Sequence, residues 1–122
     1  MARTALPYST LAGNASSADP AGTAIDVTNG MVIAGAVPEE TVIRVTNSAG
    51  ATKLITIGAG DMPPAIAAGQ GAVTGTVGAT TGVLWFGPFE SGRVLKRDGT
   101  MVVDFAASTA GFITAFRVPR GV

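Results

Sequence analysis

Eight carboxylates are the main candidates for chemistry in this chain: Asp19, Asp26, Glu39, Glu40, Asp61, Glu90, Asp98 and Asp104. The sequence holds no histidine and no cysteine. The commonest general base and metal ligand is therefore missing, and so are thiolate sites and disulfides. Carboxylates alone can hydrolyse a glycosidic bond when two sit a few ångströms apart with one pKa raised. Nothing in the spacing of these eight calls for that. Asp19 lies in an Ala/Ser-rich stretch, Glu39, Glu40, Asp61 and Asp98 lie at or near Gly or Pro, and Asp104 lies between Val103 and Phe105. On a strand, alternation points Asp104 outward. No serine has a histidine to activate it, and no Asp-x-Asp-x-Asp-Gly calcium loop is present. Gly69-Gln70-Gly71 with Gly75 lacks the Lys-Ser/Thr ending of a phosphate loop, so these glycines read as turn residues. The expectation is a protein that is not an enzyme and has no catalytic residue, metal or cofactor.

The elements that would carry such residues read as strands. The chain has 122 residues, eight basic and eight acidic, and 47% of it is apolar. Its charged fraction, 13%, is about half the usual quarter. It is rich in Val, Ile and Thr, so it can bury a core, and its length suits one domain. A surface this poor in charge favours association. The neutral balance lacks the positive field that nucleic-acid binding relies on. No stretch approaches the roughly 20 apolar residues of a membrane helix.

Residues 1–22 show no period of 2 or 3.6 and carry only Leu6, Tyr8 and Leu11 as large apolar groups, so they read as an extended N-terminal arm. Residues 23–122 read as a single β domain. Thr23–Val27 alternates and is followed by the turn signal Asn29-Gly30 and then Met31-Val32-Ile33. Thr41–Thr46 and Lys53–Ile57 flank Asn47-Ser48-Ala49-Gly50 and read as a hairpin. Gly58–Gly71 reads as a long loop with one helical turn at Ala65–Ala68. Ala72–Val77, Gly82–Phe86, Thr100–Phe105 and Gly111–Val118 are further strands. About eight short strands at even spacing argue for an all-β fold, a compact β-sandwich or a small jelly-roll or barrel-like domain.

Two groups of side chains remain as contact candidates. Trp85, Phe86 and Phe89 are bracketed by Gly and Pro, and read as core or as an oligomer contact. Arg93, Lys96 and Arg97 form the one basic cluster, with Arg117 and Arg120 near the C-terminal end. These five would meet acidic patches on a partner protein.

Several phrases resemble a known family. They are Thr23-Ala24-Ile25-Asp26 with Asn29-Gly30, the run from Glu40 to Asn47, Ala59-Gly60-Asp61-Met62-Pro63-Pro64-Ala65, Trp85-Phe86-Gly87-Pro88-Phe89-Glu90-Ser91, and Ala115-Phe116-Arg117-Val118-Pro119-Arg120. Over roughly residues 20–120 the chain resembles small head-decoration, or capsid-cement, proteins of tailed bacteriophages. The resemblance implies a structural virion protein on the capsid exterior, made in the host cytoplasm, which stabilises the shell. Its partners would be the major capsid protein and itself, as a homotrimer at three-fold positions, with no nucleic acid and no membrane. Leu6, Tyr8 and Leu11 would then touch the capsid or a neighbouring subunit. The lack of cysteine fits folding in a reducing cytoplasm. The alternatives are another virion module (tail, connector or fibre) or a carbohydrate-binding β-sandwich.

Overall fold

The computed structural model describes residues 3–11, 15–16, 18–61 and 72–119. The chain is an all-β sandwich of two mixed sheets, which do not close into a barrel among the described residues. The strands are β1 (Thr4–Ala5), β2 (Tyr8–Thr10), β3 (Thr23–Ala24), β4 (Met31–Ile33), β5 (Thr41–Asn47), β6 (Lys53–Ile57), β7 (Val73–Val77), β8 (Gly82–Phe86), β9 (Met101–Phe105) and β10 (Gly111–Arg117). A 3-10 turn covers Pro38–Glu40, and one helical turn, α1, covers Ser91–Val94. The first sheet runs β1-β4-β9-β6-β7 and the second β2-β10-β5-β8, with β3 also paired to β10. The expected helical turn at Ala65–Ala68, the glycines at 69–71 and Arg120 lie outside the described residues.

Alternation fixes the core. Along β5 every second residue is buried (Thr41, Ile43, Val45, Asn47), as the two-residue period of a strand requires. Ile43, Val45, Ile113 and Ala115 of the second sheet share one buried cluster with Met31, Ile33, Ile55, Ile57, Met101 and Val103 of the first.

Two turns connect the sheets rather than neighbouring strands. Thr41–Thr46 and Lys53–Ile57 are strands, but they do not form the expected hairpin. β5 pairs with β10 and β8, whereas β6 pairs with β7 and β9. The connection is an arch held by the buried Asn47. Its amide nitrogen donates to Ala51 O (2.9 Å) and Gly78 O (3.0 Å), and its amide oxygen accepts from Ala49 N (3.0 Å). The Asn29-Gly30 turn behaves in the same way. It leads from β3, on the second sheet, to β4, on the first.

The N-terminal segment also departs from expectation. It reads from the sequence as an extended arm without strands, yet β1 pairs parallel with β4 and β2 pairs parallel with β10. Between them Leu6 is 2% exposed and belongs to the core. The segment straddles the two sheets at one side of the sandwich, with Leu6 N bonded to Val32 O (2.8 Å) and Leu11 N to Arg117 O (2.9 Å). Burial of one large aliphatic side chain contributes about 1.5–3 kcal/mol, which adds to these backbone bonds in holding so short a segment in place.

Candidate interaction surface

Strands β5, β8 and β10 each send alternate side chains away from the core, and on this sheet many of those are apolar. Val83 and Trp85 are exposed on β8, Phe112 on β10, and Val118 just beyond β10. Trp85 and Phe86 are neighbours in sequence but point to opposite faces, with exposures of 56% and 7%. The three aromatic candidates therefore separate. Phe86 and Phe89 are core residues, and Trp85 is a surface residue.

Trp85 is held by its neighbours across the sheet. Its ring stacks on Phe116 with centroids 5.7 Å apart and planes 21° from parallel. The Arg44 guanidinium carbon lies 5.8 Å from the Trp85 ring centre and 5.6 Å from that of Phe116. Such cation–π contacts favour a fixed arginine. Arg44 is further bound by the Asp19 carboxylate and by Pro20 O (2.9 Å). The chain at 19–22 thus passes over this face. Gly22 has φ +89°, and a Cβ there would meet Thr114 Oγ1 at 2.6 Å, so a close approach and a left-handed backbone both call for glycine.

Beside Trp85 lies an apolar notch of about 260 Å³, lined by Leu11, Val42, Trp85, Phe116 and Val118. Val42 and Val118 also border a second hollow of about 390 Å³, whose other walls are Pro88, Phe89, Glu39, Glu40 and Glu90. The two hollows share Val42 and Val118; the first is lined by apolar residues and the second also carries three carboxylates. Arg117 Nε donates to Glu40 Oε1 at 3.0 Å, and Glu90 shares a further hollow with Arg93.

The remaining candidates are placed differently. Tyr8 packs on the core edge. Val37 N donates to its hydroxyl (2.9 Å), and Thr41 Oγ1, 2.7 Å away, donates to Val37 O, so the Tyr8 hydroxyl donates to Thr41. Leu6 fills the core of its own chain and offers no surface; of the three arm residues, Leu11 lines the notch. Arg93 Nη2 reaches Ala72 O at 3.4 Å, Arg97 N donates to Asp61 Oδ1, and Lys96 and Gly99 close a backbone turn. Arg117, expected to meet an acidic partner, already meets Glu40 of its own chain. Asp26 carries a carboxyl held below the ordinary range, chiefly by the Thr4 hydroxyl (2.5 Å) and then by the Asn29 backbone N–H (3.1 Å). Asp98 is likewise lowered, first by the Thr100 hydroxyl. Both serve turns or clips. Among the described residues no three Asp or Glu side chains come together in a way that would hold a metal ion, and no helix is long and apolar enough to cross a membrane.

The fold and face define a small all-β sandwich domain with one aromatic, apolar outer surface. Compared with protein-family models, curated proteins and solved structures, the chain matches none of them.

Proposed function

We propose that the chain is a non-enzymatic structural protein that binds the outside of a bacteriophage capsid and stabilises the shell. The observation that carries this reading is the exposed Trp85 face. A large aromatic, fixed by Arg44 and Phe116 beside an apolar notch, has the chemistry of a protein-binding anchor. The sequence phrases that resemble head-decoration proteins supply the identity of the partner, and low surface charge supports association. Self-association as a homotrimer belongs to the same reading. Many weak contacts repeated over a shell would add through avidity.

The test is co-sedimentation of purified protein with heads assembled without it. Saturable binding at micromolar concentration is expected, with copies spread over the shell by electron microscopy. Heads that pellet without the protein refute the reading, and density confined to the tail or connector replaces it with the other virion role.

A further inference from the structure

We propose that β8 is a self-association edge: two copies of this chain pair antiparallel through Gly82–Phe86 about a two-fold axis and join their second sheets into one. The inference does not rest on the capsid reading. On a shell, where the three-fold contacts of that reading form, the same edge would join one trimer to the next.

The four sheet edges are not alike. β1 and β2 end theirs with two and three residues, and edges that short offer little to pair with. β7 spans five residues, but Gly75 stands at its centre and its exposed side chains are Thr74 and Thr76. A glycine within a strand weakens it. β8 also spans five residues, has no glycine after its first position, and turns Val83 and Trp85 outward. Among the described residues its backbone bonds to β5 on one side and to no strand on the other. Proteins commonly guard such an edge with a lysine, a proline or a bulge. β8 has no charge and no proline, and the sequence carries no charged residue from Met62 to Phe89.

The edge complements itself. Opposed residues of an antiparallel pair share a face, so the register must set outward residues against outward ones. Centred on Leu84, an antiparallel pair of β8 strands does this for all five residues. Val83 of each copy faces Trp85 of the other, Gly82 faces Phe86, and Leu84 faces Leu84. An aromatic against a β-branched side chain is a favourable cross-strand pair, and the two-fold axis makes this one twice. A foreign strand would use the same backbone groups; the doubled Val83–Trp85 pair is what commits the edge to a second copy. The strand is also held ready. Phe86 belongs to the core, Leu84 packs against it, and a Cβ at Gly75 of β7 would meet Leu84 Cδ2 and Phe86 Cζ at 3.0 Å. Charge does not oppose the approach. Arg44, across from Trp85 on β5, is matched by Asp19, and the net charge of the chain is zero.

Sedimentation of the full chain at rising micromolar concentration should show monomers giving way to dimers. Val83→Glu, at an exposed position, should weaken dimerisation about tenfold or more, the size of a contact hot spot. When dilute it should unfold in urea at the wild-type midpoint. Cysteine trapping then tests the register without depending on that variant. The chain has no cysteine, so Val83→Cys and Trp85→Cys each carry one thiol. Directly opposed residues lie about 4.5–5.5 Å apart at Cα, within disulfide range, whereas positions offset by two residues lie beyond about 7 Å. An equal mixture of the two variants should therefore cross-link under mild oxidation much faster than either alone. Faster linking within one variant alone overturns the pairing, as does dimerisation that Val83→Glu leaves intact. Monomers at every concentration, trimers only, or mass that grows without limit also overturn it, the last because a two-fold contact closes. Heads bound by a chain that never dimerises would remove the edge contact and leave the capsid reading standing. Dimers that bind no heads would remove the capsid reading and leave the edge.

Discussion

Tyr8 and Thr41 meet hydroxyl to hydroxyl at 2.7 Å, joining the N-terminal segment to the first residue of β5. The same phenol oxygen accepts from Val37 N, so one side chain serves the turn before β5 as well as the strand itself. Tyr8→Phe removes both bonds and leaves the Val37 N–H without that partner. Loss of a partly buried hydrogen-bonding group of this kind costs roughly 1–3 kcal/mol. Urea unfolding should show the midpoint falling with the slope unchanged.

Leu6→Ala should be far more costly than Leu11→Ala. Leu6 is enclosed by the core, and removing a buried leucine side chain costs about 2–5 kcal/mol. Leu11 lies at the rim of the notch. Equal midpoints for the two variants in chemical denaturation would show that the segment does not dock as described.

Trp85 and Phe86 should behave oppositely despite adjacency. Phe86→Ala is expected to cost about 3–5 kcal/mol as a core truncation. Trp85→Ser loses stacking on Phe116 and the contact with Arg44, at about 0.5–1.5 kcal/mol. Thermal unfolding of both variants checks this, and acrylamide should quench the wild-type tryptophan readily.

Acid should loosen the N-terminal clip. Asp26 is held below its ordinary value of 3.8 in the fold, chiefly by Thr4, so its ionised form is favoured by folding. Its contribution is fully present above the unfolded pKa and fades as pH falls through the lower, folded one. Asp98 adds a parallel contribution of the same sign. Asp26→Asn should therefore be less stable than wild type at pH 7, and the gap should close from roughly pH 5 downward. A gap in urea midpoint that stays constant down to pH 2 would refute the assignment.

Much of the sandwich is legible in the sequence. Apolar, β-branched runs mark β5, β6, β9 and β10, and alternation puts Ile43 and Val45 on one face of β5, the face the structure buries. What alternation does not encode is which sheet a strand joins. Asn47-Ser48-Ala49-Gly50 has the composition of a hairpin turn, but the Asn47 side chain bonds Gly78 as well as Ala51, and that long-range bond makes it an arch. The N-terminal strands are hidden for a related reason. Two- and three-residue segments that pair in parallel need no local turn and show no period, so Leu6 and Tyr8 look like isolated apolar residues. At Trp85-Phe86 the period of two requires opposite faces. Because Val83 and Leu84 before them are both apolar, the sequence does not say which face is inside.

The position of β10 between β5 on one side and β2 and β3 on the other has a kinetic corollary. Residues Ala115–Arg117 pair with Tyr8–Thr10, so an early stretch of the polypeptide waits for a late one. On the ribosome the second sheet cannot close until residue 117 has emerged, and β5 spends that interval with one edge bare. Assembly dominated by such distant pairings is slow. Because Phe116 of β10 stacks on Trp85, the aromatic outer surface is completed by the same strand pairing that closes the second sheet.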